Sequence, residues 1–143
     1  MRKYNKGQAL VEFALVLPFF LLLVFGIIYS GMLFYDYSTL SNVARSAARE
    51  KAITAPSDTI SDAQINNNIK NRYYDSTTKR FVYGLVTSLY SPASDPLKIS
   101  GPTETDPDIV VTVTMELDSS TALMRMILPP QYSVIYHMRK DFN

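Results

Sequence analysis

Cysteine is absent from the chain, and histidine occurs once in its 143 residues. The first absence excludes a disulfide framework, cysteine-ligated zinc and thiol catalysis; the second excludes any site built on two imidazoles. Net charge is also small, with 14 Lys and Arg against 13 Asp and Glu leaving +1. That balance fits neither a strongly basic nucleic-acid binder nor an acidic tail protein. The length allows one small domain with one modest core. Charge is missing locally as well. No Asp, Glu, Lys or Arg falls between Glu12 and Asp36, so 23 consecutive residues, 13–35, are uncharged. The mean hydropathy of zero therefore averages a membrane-type segment with a polar domain.

As a helix rising about 1.5 Å per residue, the uncharged run covers roughly 34 Å, enough for a hydrocarbon core of about 30 Å. Arg2, Lys3 and Lys6 precede it and Asp36 follows it. Basic flanks stay on the cytoplasmic side, so the N-terminus is expected inside and the C-terminal part outside. A cleaved secretory signal would have an apolar core of about 7–15 residues and then a small-x-small site. Here the run is longer and continues into bulky Gly-Ile-Ile-Tyr-Ser-Gly-Met-Leu-Phe-Tyr (26–35), which reads as an uncleaved anchor. Two features exceed a plain anchor. Glu12 sits inside the apolar run, where a carboxylate is costly and is kept for a partner or a purpose. Gly7 directly follows the basic cluster and offers a protease-accessible joint. Cleavage after Gly7 would place a new α-amine on Gln8, near Glu12 and at the same depth.

Gly7-Gln8-Ala9-Leu10-Val11-Glu12-Phe13, a Gly, four uncharged residues and then Glu-aromatic, resembles the prepilin cleavage motif of the tight-adherence (Tad/Flp) pilus system. The continuation to Glu50 is similar to the TadE-like minor pseudopilins of that system. The resemblance is closest over residues 7–50. A general type IV pilin would more typically read Gly-Phe-Thr-Leu-Ile-Glu, and Gln8, Ala9 and Val11 depart from it. The short Flp-type major pilin is disfavoured by the sizeable domain after the helix. The resemblance implies a prepilin peptidase as one partner, cutting between Gly7 and Gln8. It implies Glu12 and Phe13 as processing and assembly residues. It also implies other Tad pilins, pseudopilins and membrane platform proteins as partners, alongside the lipid bilayer. The expected location is the cytoplasmic (inner) membrane, single-pass. The competing reading is a signal-anchored cell-surface binding domain outside any pilus machine.

The expected organisation is a leader over 1–7, a transmembrane helix over 8–35, an amphipathic extension over 36–54 and an extracytoplasmic domain over 55–143. Leu40, Val43, Ala44, Ala47 and Ala48 repeat at helical spacing, with Ser38, Asn42, Arg45 and Arg49 opposite. Two readings stay open, one long helix or a break near Gly31, with Pro56 ending either. Gly26 and Ser30 offer a small-residue face. Ser61 with Gln64 has capping-box spacing, and Thr59 or Ser61 is expected to start a short helix burying Ile65, Ile69 and Tyr73. Strands are expected over 80–90, 108–118 and 131–140. A long loop is expected over 91–108, with a short extended piece at Leu97–Ile99. Ser119 or Ser120 is expected to cap a short helix over Thr121–Leu128. The fold class is thus α+β and pilin-like, the outer half of the first helix covering a small antiparallel sheet of three to four strands.

Little in this pattern points to reaction chemistry. Glu104, Asp106 and Asp108 alternate in a loop, but neither a turn glycine nor a distal Glu completes a Ca²⁺ loop. His137 falls in the polar register of a strand, with no orienting carboxylate or nucleophile in sight. Arg125, Arg139 and Lys140 are too few for nucleic acid. Neither a Gly-x-Ser-x-Gly elbow, a phosphate loop nor a metal-spaced His/Glu pair occurs. The expectation is no enzyme activity, no cofactor, no metal and no small-molecule substrate.

Overall fold

A computed structural model describes residues 4–54, 60–87, 89–102, 107–118, 124–126 and 128–139. The chain divides into two compact units, Met1–Phe34 and Tyr35–Asn143. One helix, α1, runs from Tyr4 to Ile53, and of the two open readings the unbroken helix is the one adopted. Its only proline, Pro18, lies in the first unit. Gly31 causes no break, because a lone glycine costs a helix only about 1 kcal/mol. The helix ends at Ile53, where the Thr54 N–H and hydroxyl both donate to the Glu50 carbonyl, at 3.1 and 2.8 Å. Pro56 and Thr59 lie outside the described residues.

In the second unit the sequence period becomes burial. Leu40, Val43, Ala44, Ala47 and Ala48 are fully buried, whereas Ser38, Asn42, Arg45 and Arg49 are exposed. Helix α2, Asp62–Tyr73, opens with the expected capping box. The Ser61 hydroxyl accepts the Gln64 N–H at 3.4 Å, and the Gln64 side chain accepts the Ser61 N–H at 2.9 Å. Ile65 and Ile69 are buried, Tyr73 is half-buried, and Asn66–Asn68 stay helical.

Strand β1 (Tyr74–Asp75) pairs antiparallel with β2 (Arg80–Phe81). The Asp75 carboxylate shapes the turn between them, accepting the Thr77 N–H and the Thr78 hydroxyl, each at 2.8 Å. The main sheet is antiparallel in the order β3-β4-β5, with β3 at Tyr90–Ser100, β4 at Asp108–Leu117 and β5 at Gln131–Arg139. Central β4 buries Ile109, Val111, Val113, Met115 and Leu117 on one face. That face is covered by the α1 stripe, as expected for the α+β class. Each fully buried Leu, Ile, Val or Met contributes about 1.5–3 kcal/mol.

Two expectations fail. The alternation over 80–90 is not a strand: only Arg80–Phe81 and Tyr90 lie in strands, and 82–87 is irregular. Conversely, the expected loop over 91–108 holds most of β3. Its Pro92 and Pro96 are tolerated because β3 is an edge strand whose register shifts between Pro92 and Leu97. A proline costs no ladder hydrogen bond where the ladder is interrupted. Gly101, at φ +77°, makes the exit from β3, and a Cβ there would overlap the Asp108 carbonyl oxygen. Of the expected helix at 121–128, a 3₁₀ turn at Met124–Met126 is described; Ser119, Ser120, Glu104, Asp106 and Lys140 lie outside the described residues.

Candidate functional site

The first unit carries the residues singled out for processing. Gly7 lies in the first turn of α1, three residues inside its start, so the helix begins earlier than the sequence pattern suggests. The first four N–H groups of any helix lack intrahelical acceptors, so opening this turn sacrifices few hydrogen bonds. Gly7 is exposed, and nothing lies within 4 Å of where a Cβ would stand. One turn on, the Gln8 amide donates to Glu12 Oε1 at 3.3 Å. Gln8 and Glu12 are thereby brought together on one helix face; Phe13, the next residue, is exposed and projects about 100° around the axis.

From Phe13 to Phe34, α1 presents apolar side chains on every side. Phe19 and Leu22 are more than 70% exposed, and none of the most apolar 18-residue window is buried within the protein. A helix hydrophobic all round suits hydrocarbon rather than water. By length and composition α1 is able to cross a membrane. Ser30 donates its hydroxyl to the Gly26 carbonyl at 2.8 Å, satisfying that polar group within its own helix.

The second unit contains two ionic anchors that sequence reasoning missed. Asp36, the first charge after the uncharged run, is 2% exposed. Its two carboxylate oxygens accept the backbone N–H groups of Val86 and Thr87 at 2.8 and 2.9 Å. Tyr132 lies nearby, and burial, then the Asp36 charge, then Tyr90, push its phenol up to about 12. Lys51 is 1% exposed and pairs with Asp62 at the start of α2. The available signal for Lys51 was its phase, since it continues the spacing of Ala44, Ala47 and Ala48. For Asp36 it was isolation, a lone carboxylate between Tyr35 and Tyr37.

Among the described residues, the other titratable groups form no reaction centre. His137 is exposed on β5, opposite Val110 in register. Among the described residues no cluster of three metal-ligating side chains occurs. Two clefts of about 430 Å³ open in the second unit. One is bordered by Lys79, Arg80, Val86 and Thr87, the other by Tyr35, Ser38, Asn42 and Tyr83.

Residues 7–49 match the family model described as TadE-like protein. The family resemblance set out from Gly7, Glu12 and the following run thus holds over the stem and the first turns of the core helix. No curated protein and no solved structure matches the chain. The TadE-like family is a structural or accessory family of the pilus system and is not known for enzymes.

Proposed function

We infer that this chain, a Tad pilus-associated protein by its TadE-like domain, acts as a minor pilin-like (pseudopilin) subunit needed for assembly of a Tad/Flp-type adhesive pilus. A prepilin peptidase removes residues 1–7, and the mature protein starts at Gln8. The N-terminus lies in the cytoplasm, held there by Arg2, Lys3 and Lys6, α1 crosses the inner membrane once, and the remainder is extracytoplasmic. The protein works by assembly with other pilins, pseudopilins and platform proteins; it is not an enzyme and carries no cofactor.

The observation that carries this reading is the pairing of Gln8 with Glu12 immediately behind an open, side-chain-free Gly7. Cutting the Gly7–Gln8 bond leaves an α-amine on the residue that already holds the Glu12 carboxylate. A positive and a negative charge then meet at one depth, which lowers the cost of taking Glu12 into lipid. Removal of the leader takes 143 residues to 136 and 14 basic residues to 11, against 13 acidic ones, so the side-chain charge changes from +1 to −2. The leader's charge thus serves topology, and the working protein is mildly acidic.

Intact-mass measurement of membrane-purified protein from the native host tests the cleavage. Wild type is expected to lack the seven leader residues and Gly7→Ala to retain them. A Gly7→Ala protein of the same processed mass as wild type overturns the assignment.

A further inference from the structure

The two edges of the main sheet are finished differently. Strand β3 carries Pro92 and Pro96, and its pairing with β4 shifts register between Pro92 and Leu97. Both devices keep a further strand from adding to an edge. Strand β5 has neither. Its nine residues pair with β4 in one unbroken register, from Asp108↔Arg139 to Glu116↔Gln131. They include no proline, glycine or lysine, and their one arginine stands at the end. An edge of that length and regularity is a template for another strand.

The pairing with β4 determines which backbone groups that edge offers. The Leu117 N–H donates to the Pro130 carbonyl at 2.8 Å, so position 130 directs its carbonyl at β4. In an antiparallel ladder this direction alternates from residue to residue. Tyr132, Val134, Tyr136 and Met138 therefore bond to β4, whereas Gln131, Ser133, Ile135, His137 and Arg139 turn their N–H and C=O groups away from it. All five of the latter are exposed, Ile135 at 55% despite its apolar side chain. The core face of β5 is not sealed either. Val134 is buried there, but Tyr132, Tyr136 and Met138 are only half-buried.

We infer that the free edge of β5 pairs antiparallel with β5 of a second copy of the chain, two-fold about Ile135, so that two three-stranded sheets join into one. The outward-pointing residues are symmetric about Ile135, and this register pairs the whole strand. Ile135 faces Ile135 of the second copy, an apolar cross-strand pair; Ser133 faces its His137, and Gln131 faces its Arg139. Each of these pairs exchanges two N–H···O=C bonds. Charge agrees with the register. Glu116 lies beside Gln131 on the same face of the sheet, so Arg139 of the second copy approaches a carboxylate across two strand spacings, about 10 Å. On the core face, Met138 of the second copy stands opposite Tyr132, a thioether against a ring, and its Tyr136 stands opposite Val134. The half-buried row of β5 is thereby covered. A foreign strand would have to match this pattern, whereas a second copy supplies it by symmetry. Only residues of the second unit take part.

The absence of cysteine makes the register directly testable. Full-length Ile135→Cys, Ser133→Cys, His137→Cys and Lys98→Cys, concentrated in detergent micelles, are oxidised with copper phenanthroline and resolved by non-reducing electrophoresis. In the two-fold pair the Cα atoms of the two positions 135 lie about 5.5 Å apart, within disulfide range. Two positions 133, or two positions 137, are offset by four residues along the strands and lie about 14 Å apart. Ile135→Cys is expected to form covalent dimer at least about tenfold faster than Ser133→Cys or His137→Cys, whose sulfurs are out of range. The same margin is expected over Lys98→Cys, exposed on the proline-interrupted β3 edge. An equimolar mixture of Ser133→Cys and His137→Cys is expected to cross-link where neither does alone. If Ile135→Cys forms dimer no faster than Lys98→Cys, β5 does not pair between copies and the inference is overturned. Equal cross-linking at 133, 135 and 137 overturns it too, since that pattern comes from collisions between copies and not from a register.

Discussion

The Asp36 carboxylate accepts the backbone N–H of Thr87 at 2.9 Å, joining the start of the domain's core helix to a segment 51 residues further along the chain. Both residues are buried. The acceptor is a carboxylate, and hydrogen bonds of that charge-assisted kind are roughly twice as strong as neutral ones.

Removing that acceptor leaves the buried Thr87 N–H without a partner and frees the Val86 N–H beside it. Asp36→Ala is expected to destabilise the second unit by about 3 kcal/mol, from lost charge-assisted bonds and unsatisfied donors. Asp36→Asn keeps one accepting oxygen and should cost about half as much. Urea unfolding of the full chain in detergent micelles, followed by tyrosine fluorescence, measures both. Equal stability of Asp36→Ala and wild type would show that water replaces the carboxylate.

The second buried charge behaves differently. Lys51 is 1% exposed but its partner Asp62 is 52% exposed, so solvent reaches one side of the pair. Replacing a buried ion by a well-packed apolar side chain is often neutral, whereas removing only its partner strands a charge. Lys51→Met, which continues the apolar stripe of α1, is expected within about 1 kcal/mol of wild type. Asp62→Ala should cost about 2 kcal/mol, less than for a fully buried pair because water reaches the vacated side. Arg72 with Glu50 at 3.0 Å gives the contrast. Arg72 is two-thirds exposed, and Arg72→Ala is expected to cost under about 1 kcal/mol. A double-mutant cycle on Lys51 and Asp62 checks the asymmetry.

Alkaline pH should loosen the domain through its tyrosines. Burial raises the phenols of Tyr73, Tyr74 and Tyr90, and raises Tyr132 from 10.0 to about 12. The neutral phenol is therefore favoured by the folded state. This contribution is complete below pH 10 and is lost as pH climbs through about 12. Denaturant midpoints are expected to fall over that window, with phenolate absorbance of Tyr132 appearing late. Tyr132→Phe should flatten the fall. A midpoint that declines identically in Tyr132→Phe assigns the alkaline loss to other groups.

Local periodicity carried most of the architecture, and tertiary partnership carried the rest. Leu40, Val43, Ala44, Ala47 and Ala48 were legible because a helix repeats every 3.6 residues and one face must be buried. The Ser61–Gln64 box was legible because its whole geometry lies within four residues. Pro92 and Pro96 disguised β3, since their tolerance depends on an edge position and a register shift that no local window shows. The alternation over 80–90 suggested a strand, but Asp36 takes the N–H groups of Val86 and Thr87 that a ladder would need. Gly7 and Glu12 stood out through the compound of basic leader, glycine and a carboxylate in an apolar run. Asp36 did not, because its meaning lies in residues 50 and 51 positions away.

Glu12 offers the sharpest separation of charge from hydrogen bonding. Its Oε1 accepts from the Gln8 amide at 3.3 Å, a contact that a glutamine at position 12 is able to keep. A buried carboxylate costs about 2.5–3.5 kcal/mol at the bilayer centre and less near the edge. An ammonium about 4 Å away at an effective dielectric of 20 returns about 4 kcal/mol, so an N-terminus freed by cleavage after Gly7 would offset that burial. Glu12→Gln removes the charge and keeps the shape. If the mature α-amine is the partner, Glu12→Gln is expected to be processed to the wild-type mass yet to abolish most piliation in the native host. Glu12→Asp, charged but one methylene shorter, should restore part of it. Normal pili from Glu12→Gln would reduce Glu12 to a hydrogen-bonding residue and remove the charge pair from assembly.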